Sequence, residues 1–236
     1  MALEISLLSG GAAQGLVRQL APVFEAAQTV RLQATFGAVG AMQQLLLNGA
    51  PCDVLILTQA LVEGLIAGGH ARAGTARALG SVMTSVAVKA GQPHPVIQDA
   101  DSLRTALRKA NGIYFPDPQL ATAGIHFMKV LNLLGVAQEL ADRLRVYPNG
   151  ATAMKAMAAC EDSQVIGCTQ VTEILITEGI ECVADLPEGL GLATLYTAAI
   201  STASPHAETA ALFIEALTGP ALQAQRRQAG FLPQPG

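Results

Sequence analysis

From Glu4 to Gly68 the chain alternates apolar runs of strand length with helical stripes, and this alternation restricts its fold more than any other feature. Glu4 to Leu8 reads as a buried strand, and Gly15 to Ala27 as a helix with Leu16, Leu20, Val23 and Phe24 on one stripe. Val30 to Phe36 alternates like a strand, Ala38 to Asn48 is helical with Gly49 beyond its end, and Asp53 to Leu57 is a short apolar strand. Gln59 to Gly68 supplies a third helix. The order β-α-β-α-β predicts an α/β fold with a mainly parallel sheet flanked by helices. Ligands of such sheets bind outside the carboxyl ends of the strands.

Two glycine-bearing junctions lie at those ends: Ser9-Gly10-Gly11-Ala12 and Gly37-Ala38-Val39-Gly40. Each joins a strand to a helix. The first N–H groups of a helix have no intrahelical carbonyl and carry partial positive charge, and glycine lets a ligand come close to the backbone. The pair of junctions is therefore a candidate anion site.

A second unit follows the loop from Ala90 to Pro95. It has a helix from Asp101 to Ala110, a strand from Gly112 to Phe115, a turn at Pro116-Asp117-Pro118 and a helix from Ala123 to Leu134. Val146 leads into the loop Pro148-Asn149-Gly150, then a helix spans Ala151 to Ala159 and a strand Gln164 to Cys168, feeding Thr169 to Glu173. Leu192 to Ile200 is strand-like, and Pro205 to Leu217 and Ala221 to Gln228 are helical.

Composition removes several functional classes. The net charge is −4 and no basic cluster exceeds Arg226-Arg227, so no nucleic-acid partner is expected. Tryptophan is absent and aromatics make up 4% of the chain, which leaves no stacking platform. Cys52, Cys160, Cys168 and Cys182 show no CxxC spacing, so no metal site is expected, and most read as core thiols. No apolar run reaches the roughly 18 residues of a membrane helix, so no membrane insertion is expected. Met1 to Leu8 lacks the features of a secretory leader, which places the chain in the periplasm if a leader has been removed and in the cytoplasm otherwise.

The junctions resemble those of the molybdate-binding proteins of ABC transporters over nearly the whole chain. The matching pieces are Ser9 to Ala12, Phe36 to Ala41, Asn48 to Val54, Asp117 to Ile125 and Gly167 to Glu173. The most specific is Gly-Ala-Pro-Xaa-Asp-Val at residues 49 to 54, with Cys52 as the variable position. The resemblance implies a two-lobed type II periplasmic-binding-protein fold. Residues 1–82 and 192–236 would form the first lobe and 83–191 the second, closing by a hinge on a small anion in the cleft between them. It implies a monomer with no cofactor, working with an ABC transporter membrane component. Carried onto this chain, the ligand contacts fall on Ser9, Gly10, Gly11 and Ala12, then Ala38, Val39 and Gly40, in the first lobe. In the second they fall on Thr122, Ala123 and Gly124, on Asn149, Gly150 and Ala151, and on Thr169 and Gln170.

The departures change the expected ligand. Hydroxyl side chains usual in the first two loops are replaced by Ala12 and by Ala38-Val39, and the usual tyrosine of the fourth loop by Gln170. Each unreplaced hydrogen bond to charge removes about 1 to 3 kcal/mol. A carboxylate or an oxyanion other than molybdate is thus expected. The variant loops resemble a branch that includes aconitate isomerase, which implies an alternative: a cofactor-free isomerase moving a proton on a di- or tricarboxylate. Such chemistry needs an acid and a base near the cleft. His126, Lys155 and Tyr114 are the candidates, each with a plain structural reading beside it as a helix-start residue, a solvated helix lysine and a strand-end filler. Asp117 reads as a turn stabiliser, Asp53 as a fixed strand-start aspartate and Glu173 as a helix start or cap.

Overall fold

Apolar residues at every position of a short strand require cover on both faces. Val54-Leu55-Ile56-Leu57 is such a run, and all four side chains are buried. The computed structural model describes residues 3–233 and divides into two compact units, one running up to Val82 and resuming at Leu195, the other spanning Met83–Thr194.

In the first unit β1 (Leu3–Gly10) leads through a 3-10 turn (Gly11–Ala13) into α1 (Gln14–Gln28), then β2 (Val30–Gly37), α2 (Val39–Leu47), β3 (Val54–Thr58) and α3 (Gln59–Ala67). β1 lies between β2 and β3 and is parallel to both, with Ser9 opposite Phe36 on one side and Ile56 on the other. The chain leaves this unit along β4 (Arg77–Lys89). The helix stripe differs from expectation at one residue. α1 buries Leu16, Val17 and Phe24, whereas Val23 is 68% exposed. A stripe through positions 16, 17, 20 and 24 follows the 3.6-residue period, and Val23 falls just outside it.

The second unit contains α4 (Ala100–Lys109), β5 (Gly112–Pro116), α5 (Thr122–Leu133), β6 (Leu144–Tyr147), α6 (Gly150–Ala159), β7 (Val165–Gln170), α7 (Val171–Leu175) and β8 (Ile180–Asp185). β5 is parallel to β6 and to β7, while β4 pairs antiparallel with β7 and β8. Side chains alternate across the sheet. Ile113, Phe115, Ile166, Cys168 and Val86 pack against Leu103 and Leu107 of α4 and against Phe127, Val130 and Leu131 of α5. Tyr114, Val165 and Ala87 pack on the other face against Ala153, Met154 and Met157 of α6.

The chain returns along β9 (Ala193–Ile200), which is antiparallel to β3 with Tyr196 opposite Thr58, and ends in α8 (Ala207–Thr218) and α9 (Gln223–Gln228). α8 docks on α1 through Phe213 and Phe24, an edge-to-face pair with centroids 5.0 Å apart. The strands β6 and β8 are additions to the expected order. Both carry polar or exposed residues at most positions, so neither gives a strong alternation. The four cysteines are free thiols, and burial pushes the Cys52 thiol up to about 12.

Asp53 of the Gly-Ala-Pro-Xaa-Asp-Val phrase ties this unit together at the amino ends of its strands. It is buried, its Oδ2 accepts from the Ser6 N–H at 2.8 Å, and its Oδ1 accepts from the Ser204 hydroxyl at 2.6 Å. Removing the carboxylate leaves two donors without partners. Asp53→Ala therefore lowers stability by about 2 to 4 kcal/mol, read from urea unfolding; a loss below about 0.5 kcal/mol would show that the phrase is not a structural tie.

Candidate functional site

In the first unit the register sets Gly10 directly opposite Gly37, so the turn into α1 and the turn into α2 lie side by side at the carboxyl ends of their strands. Neither helix start has a side-chain cap. The Gln14 N–H of α1 donates to the Gly11 carbonyl of the 3-10 turn, so the donors without a side-chain cap are those that open this turn and the first turn of α2. Gly10 owes its identity to packing: a Cβ there would lie 2.7 Å from Val39 Cγ1 and 3.1 Å from Tyr196 Cε1. Ser9 is fully buried, and its hydroxyl donates to the Gly10 carbonyl at 2.9 Å. Ala12, Ala38 and Val39 are buried too. This junction thus presents backbone N–H groups and small apolar side chains, and the serine proton is already engaged. Arg18 stands one turn along α1 from Gln14, with its guanidinium over the Phe36 ring at 5.8 Å. It was not among the expected residues.

In the second unit the two principal helix starts differ. α5 follows β5 with no side-chain cap at Thr122, Ala123 and Gly124. Gly124 is forced by close approach, since a Cβ would lie 2.2 Å from the Pro116 carbonyl oxygen and 2.3 Å from that of Asp117. Asp117 holds the preceding turn, its Oδ1 accepting from the N–H groups of Gln119 and Leu120. α6, in contrast, is closed. Asn149 Oδ1 accepts from the Thr152 N–H at 2.9 Å. The buried Glu173 carboxylate accepts from the Ala151 N–H at 3.3 Å and from the Thr169 hydroxyl at 2.6 Å. A Cβ on Gly150 would fall 2.0 Å from Glu173 Oε2, so glycine is needed to admit the carboxylate. Asn149, Gly150, Ala151 and Thr169 are brought together, but around the Glu173 carboxyl group. Glu173 caps α6, a helix 22 residues earlier in the chain.

Burial raises the pKa of Glu173, and the hydrogen bonds from Thr169 and from the N–H groups of Ala151, Gly150 and Gln170 oppose that rise without cancelling it.

Gln170 ends β7 and is buried. Its Nε2 donates to Thr194 Oγ1 at 3.3 Å, while its Oε1 has no hydrogen-bond partner. Thr84 Oγ1 and Thr172 Oγ1 are likewise buried and unpartnered. An unmet buried polar group costs about 1 to 3 kcal/mol, so three within one unit mark a place where stability yields to something else. Thr84 and Thr194 carry no motif, and Thr172 lies in the Gly167 to Glu173 piece but was not among the expected contacts. Thr84 meets Gln170 only through the pairing of β4 with β7.

The proton-transfer candidates do not gather. His126 Nε2 lies 2.7 Å from the Leu190 carbonyl oxygen, which fixes its donor nitrogen. Lys155 is exposed in the middle of α6. Tyr114 stacks on Tyr147 with centroids 6.0 Å apart, and its phenol, raised to about 12 first by burial and next by a hydrogen bond with Cys160, points to the carboxyl end of α6. That is the opposite end of the helix from Gly150. Among the described residues no group of three His, Cys, Asp or Glu side chains suits a metal ion, and no helix is long and apolar enough to cross a membrane.

Each of the two units is a mainly parallel sheet whose strands run into helices. The chain belongs to the family of bacterial extracellular solute-binding proteins, whose model matches residues 5–232. It is 26% identical over 237 residues to a Pseudomonas protein named aconitate isomerase, covering 98% of this chain and 88% of that one. Among solved structures it is similar to the periplasmic molybdate-binding protein of Azotobacter vinelandii, with a TM-score of 0.80, 21% identity and coverage of 98% and 100%. It is also similar to the sulfate-binding protein SubI of Mycobacterium tuberculosis, with a TM-score of 0.77, 16% identity and coverage of 98% and 87%. These structural likenesses establish the fold.

The raised Glu173 has a calculable consequence. Its protonated form is favoured in the folded chain, so its contribution is full below the ordinary value of 4.5 and declines as pH rises from there towards the folded value. The stability of the wild type minus that of Glu173→Gln is therefore expected to fall as pH rises above 4.5, followed by urea unfolding at several pH values. A difference that rises with pH would show a carboxylate stabilised in its charged form.

Proposed function

We propose that this chain binds a small carboxylate or oxyanion through the uncapped helix starts at the strand ends of each unit. The observation that carries the reading is the alignment of the α1 and α2 starts by the Gly10–Gly37 register, with no side-chain acceptor on either. In the second unit the candidate contacts are the start of α5 and the side chain of Gln170. Ala151 contributes less, because its N–H already meets Glu173. Few charged groups stand at these turns, so recognition rests on N–H groups and helix dipoles, an arrangement suited to one compact anion. Family membership supports a role in delivering the bound solute to an ABC transporter membrane component outside the cytoplasm. Departures from the hydroxyl-rich loops of molybdate binders favour a carboxylate over molybdate.

One observation favours a second reading. The likeness to a protein named aconitate isomerase runs over 98% of this chain, which supports transfer of a proton on an unsaturated di- or tricarboxylate. In that reading His126, oriented by the Leu190 carbonyl, and Glu173, buried at the end of α6, are the residues to examine, and Lys155 and Tyr114 drop behind them.

A single experiment separates the readings. The purified protein is titrated calorimetrically with trans-aconitate, cis-aconitate, sulfate and molybdate, and each aconitate mixture is followed by proton NMR. Binding reading: saturable heat with a carboxylate and no chemical change. Isomerase reading: interconversion of the two aconitates, lowered at least about 100-fold in His126→Gln. Neither heat nor turnover with any of the four would overturn the proposal.

A further inference from the structure

Thr84 and Gln170 face each other across the antiparallel β4–β7 pair, and residues directly opposite in such a pair share a face. Two residues along each strand lie Val86 and Cys168, which belong to the core under α4 and α5. Thr84 and Gln170 therefore sit at the α5 side of the sheet, the side on which the helix start is uncapped. Thr169 and Glu173, which close α6, belong to the other face. Thr172 stands two residues beyond Gln170, in the first turn of α7. All three side chains are buried, and Thr84 Oγ1, Gln170 Oε1 and Thr172 Oγ1 lack partners. The amide nitrogen of Gln170 donates to Thr194 Oγ1 at 3.3 Å, and the carbonyl oxygen is the end without a partner.

We propose that Thr84, Thr172 and the side-chain carbonyl of Gln170 form a ligand-reading patch that selects an anion bearing an O–H group, a hydroxy acid or a singly protonated polycarboxylate. The inference rests on the anion-binding reading above and refines its ligand class. The two hydroxyls donate to ligand oxygens. The Gln170 oxygen can only accept, so it is satisfied by a ligand that brings its own proton and left unmet by a fully deprotonated tetrahedral oxyanion. A site built to hydrogen-bond an O–H rejects the analogue that lacks it, because the buried acceptor then has no partner. The same logic explains why the second unit, with α/β walls this well packed, keeps these unmet polar atoms.

The test uses citrate and tricarballylate, which differ by one hydroxyl, with sulfate as a proton-free oxyanion, in calorimetric titrations at pH 7 of the wild type, Thr84→Val and Thr172→Val. The expected result is a preference of at least about 10-fold for citrate over tricarballylate and over sulfate, with citrate affinity falling about 10-fold or more in each valine variant. Valine is nearly isosteric with threonine and removes an unmet hydroxyl, so ligand-free thermal midpoints should stay level or rise. Loss of affinity without loss of stability is a combination that a purely structural role does not produce. Equal binding of citrate and tricarballylate, tighter binding of sulfate, or valine variants within about twofold of the wild type would overturn this inference and leave anion binding standing. If the wild type binds none of the three probes, nor any ligand of the preceding section, the anion-binding reading falls and this inference with it.

Discussion

A helix that starts directly behind a strand has leading N–H groups that no carbonyl of its own can meet. Everything at the strand ends of this protein follows from how that deficit is handled. At α6 it is met from within: Asn149 takes the Thr152 N–H, and Glu173 takes the Ala151 N–H while accepting from Thr169. At α1, α2 and α5 no side chain does so. α3, α7 and α8 likewise start without a side-chain cap, so what sets α1 and α2 apart is the register that places their turns side by side. Glu173 fills the space beside Gly150 at the start of α6.

The parallel register sets the first two turns side by side. Gly10 opposite Gly37 aligns two turns, and the absence of a Cβ at Gly10 lets Val39 and Tyr196 close over the first of them. At Gly124 the carbonyls of Pro116 and Asp117 hold α5 against the end of β5, so its N-terminus has a fixed position. Backbone donors positioned by packing require no rearrangement to meet a ligand, which limits the entropy lost on binding. The amino ends of the first unit's strands do different work. There Asp53 joins β1 to the segment after β9, and its motif marks architecture.

The fold was legible because its signals are local. Alternating strands and helix stripes, and glycine turns between them, lie within a few residues of one another, and they identified the α/β class and most of the elements but not the edge strands β6 and β8. β6 and β8 were not legible because an edge strand needs no apolar face, and theirs are largely polar or exposed. The turns of the candidate site could be read, but not what fills them. Gly10 and Gly150 suggested room for a ligand, whereas the space belongs to Val39 and Tyr196 in one case and to Glu173 in the other. Thr84 had no signal at all. It reaches Gln170 only because β4 and β7 pair in one register, and sequence spacing carries no trace of that pairing. Tyr114 had the right residue type beside the right turn, but strand alternation sends it to the α6 face and towards Cys160.

The central claim is that an anion meets the open helix starts and not the closed one, and backbone amide NMR of the labelled protein during titration with citrate and then molybdate tests it most directly. The account predicts large, saturable shifts at Gly11, Ala12, Val39, Gly40, Ala123 and Gly124 for the ligand that binds, with the Ala151 amide nearly still. Saturable binding that leaves those six amides unmoved, or that moves Ala151 instead, would contradict it.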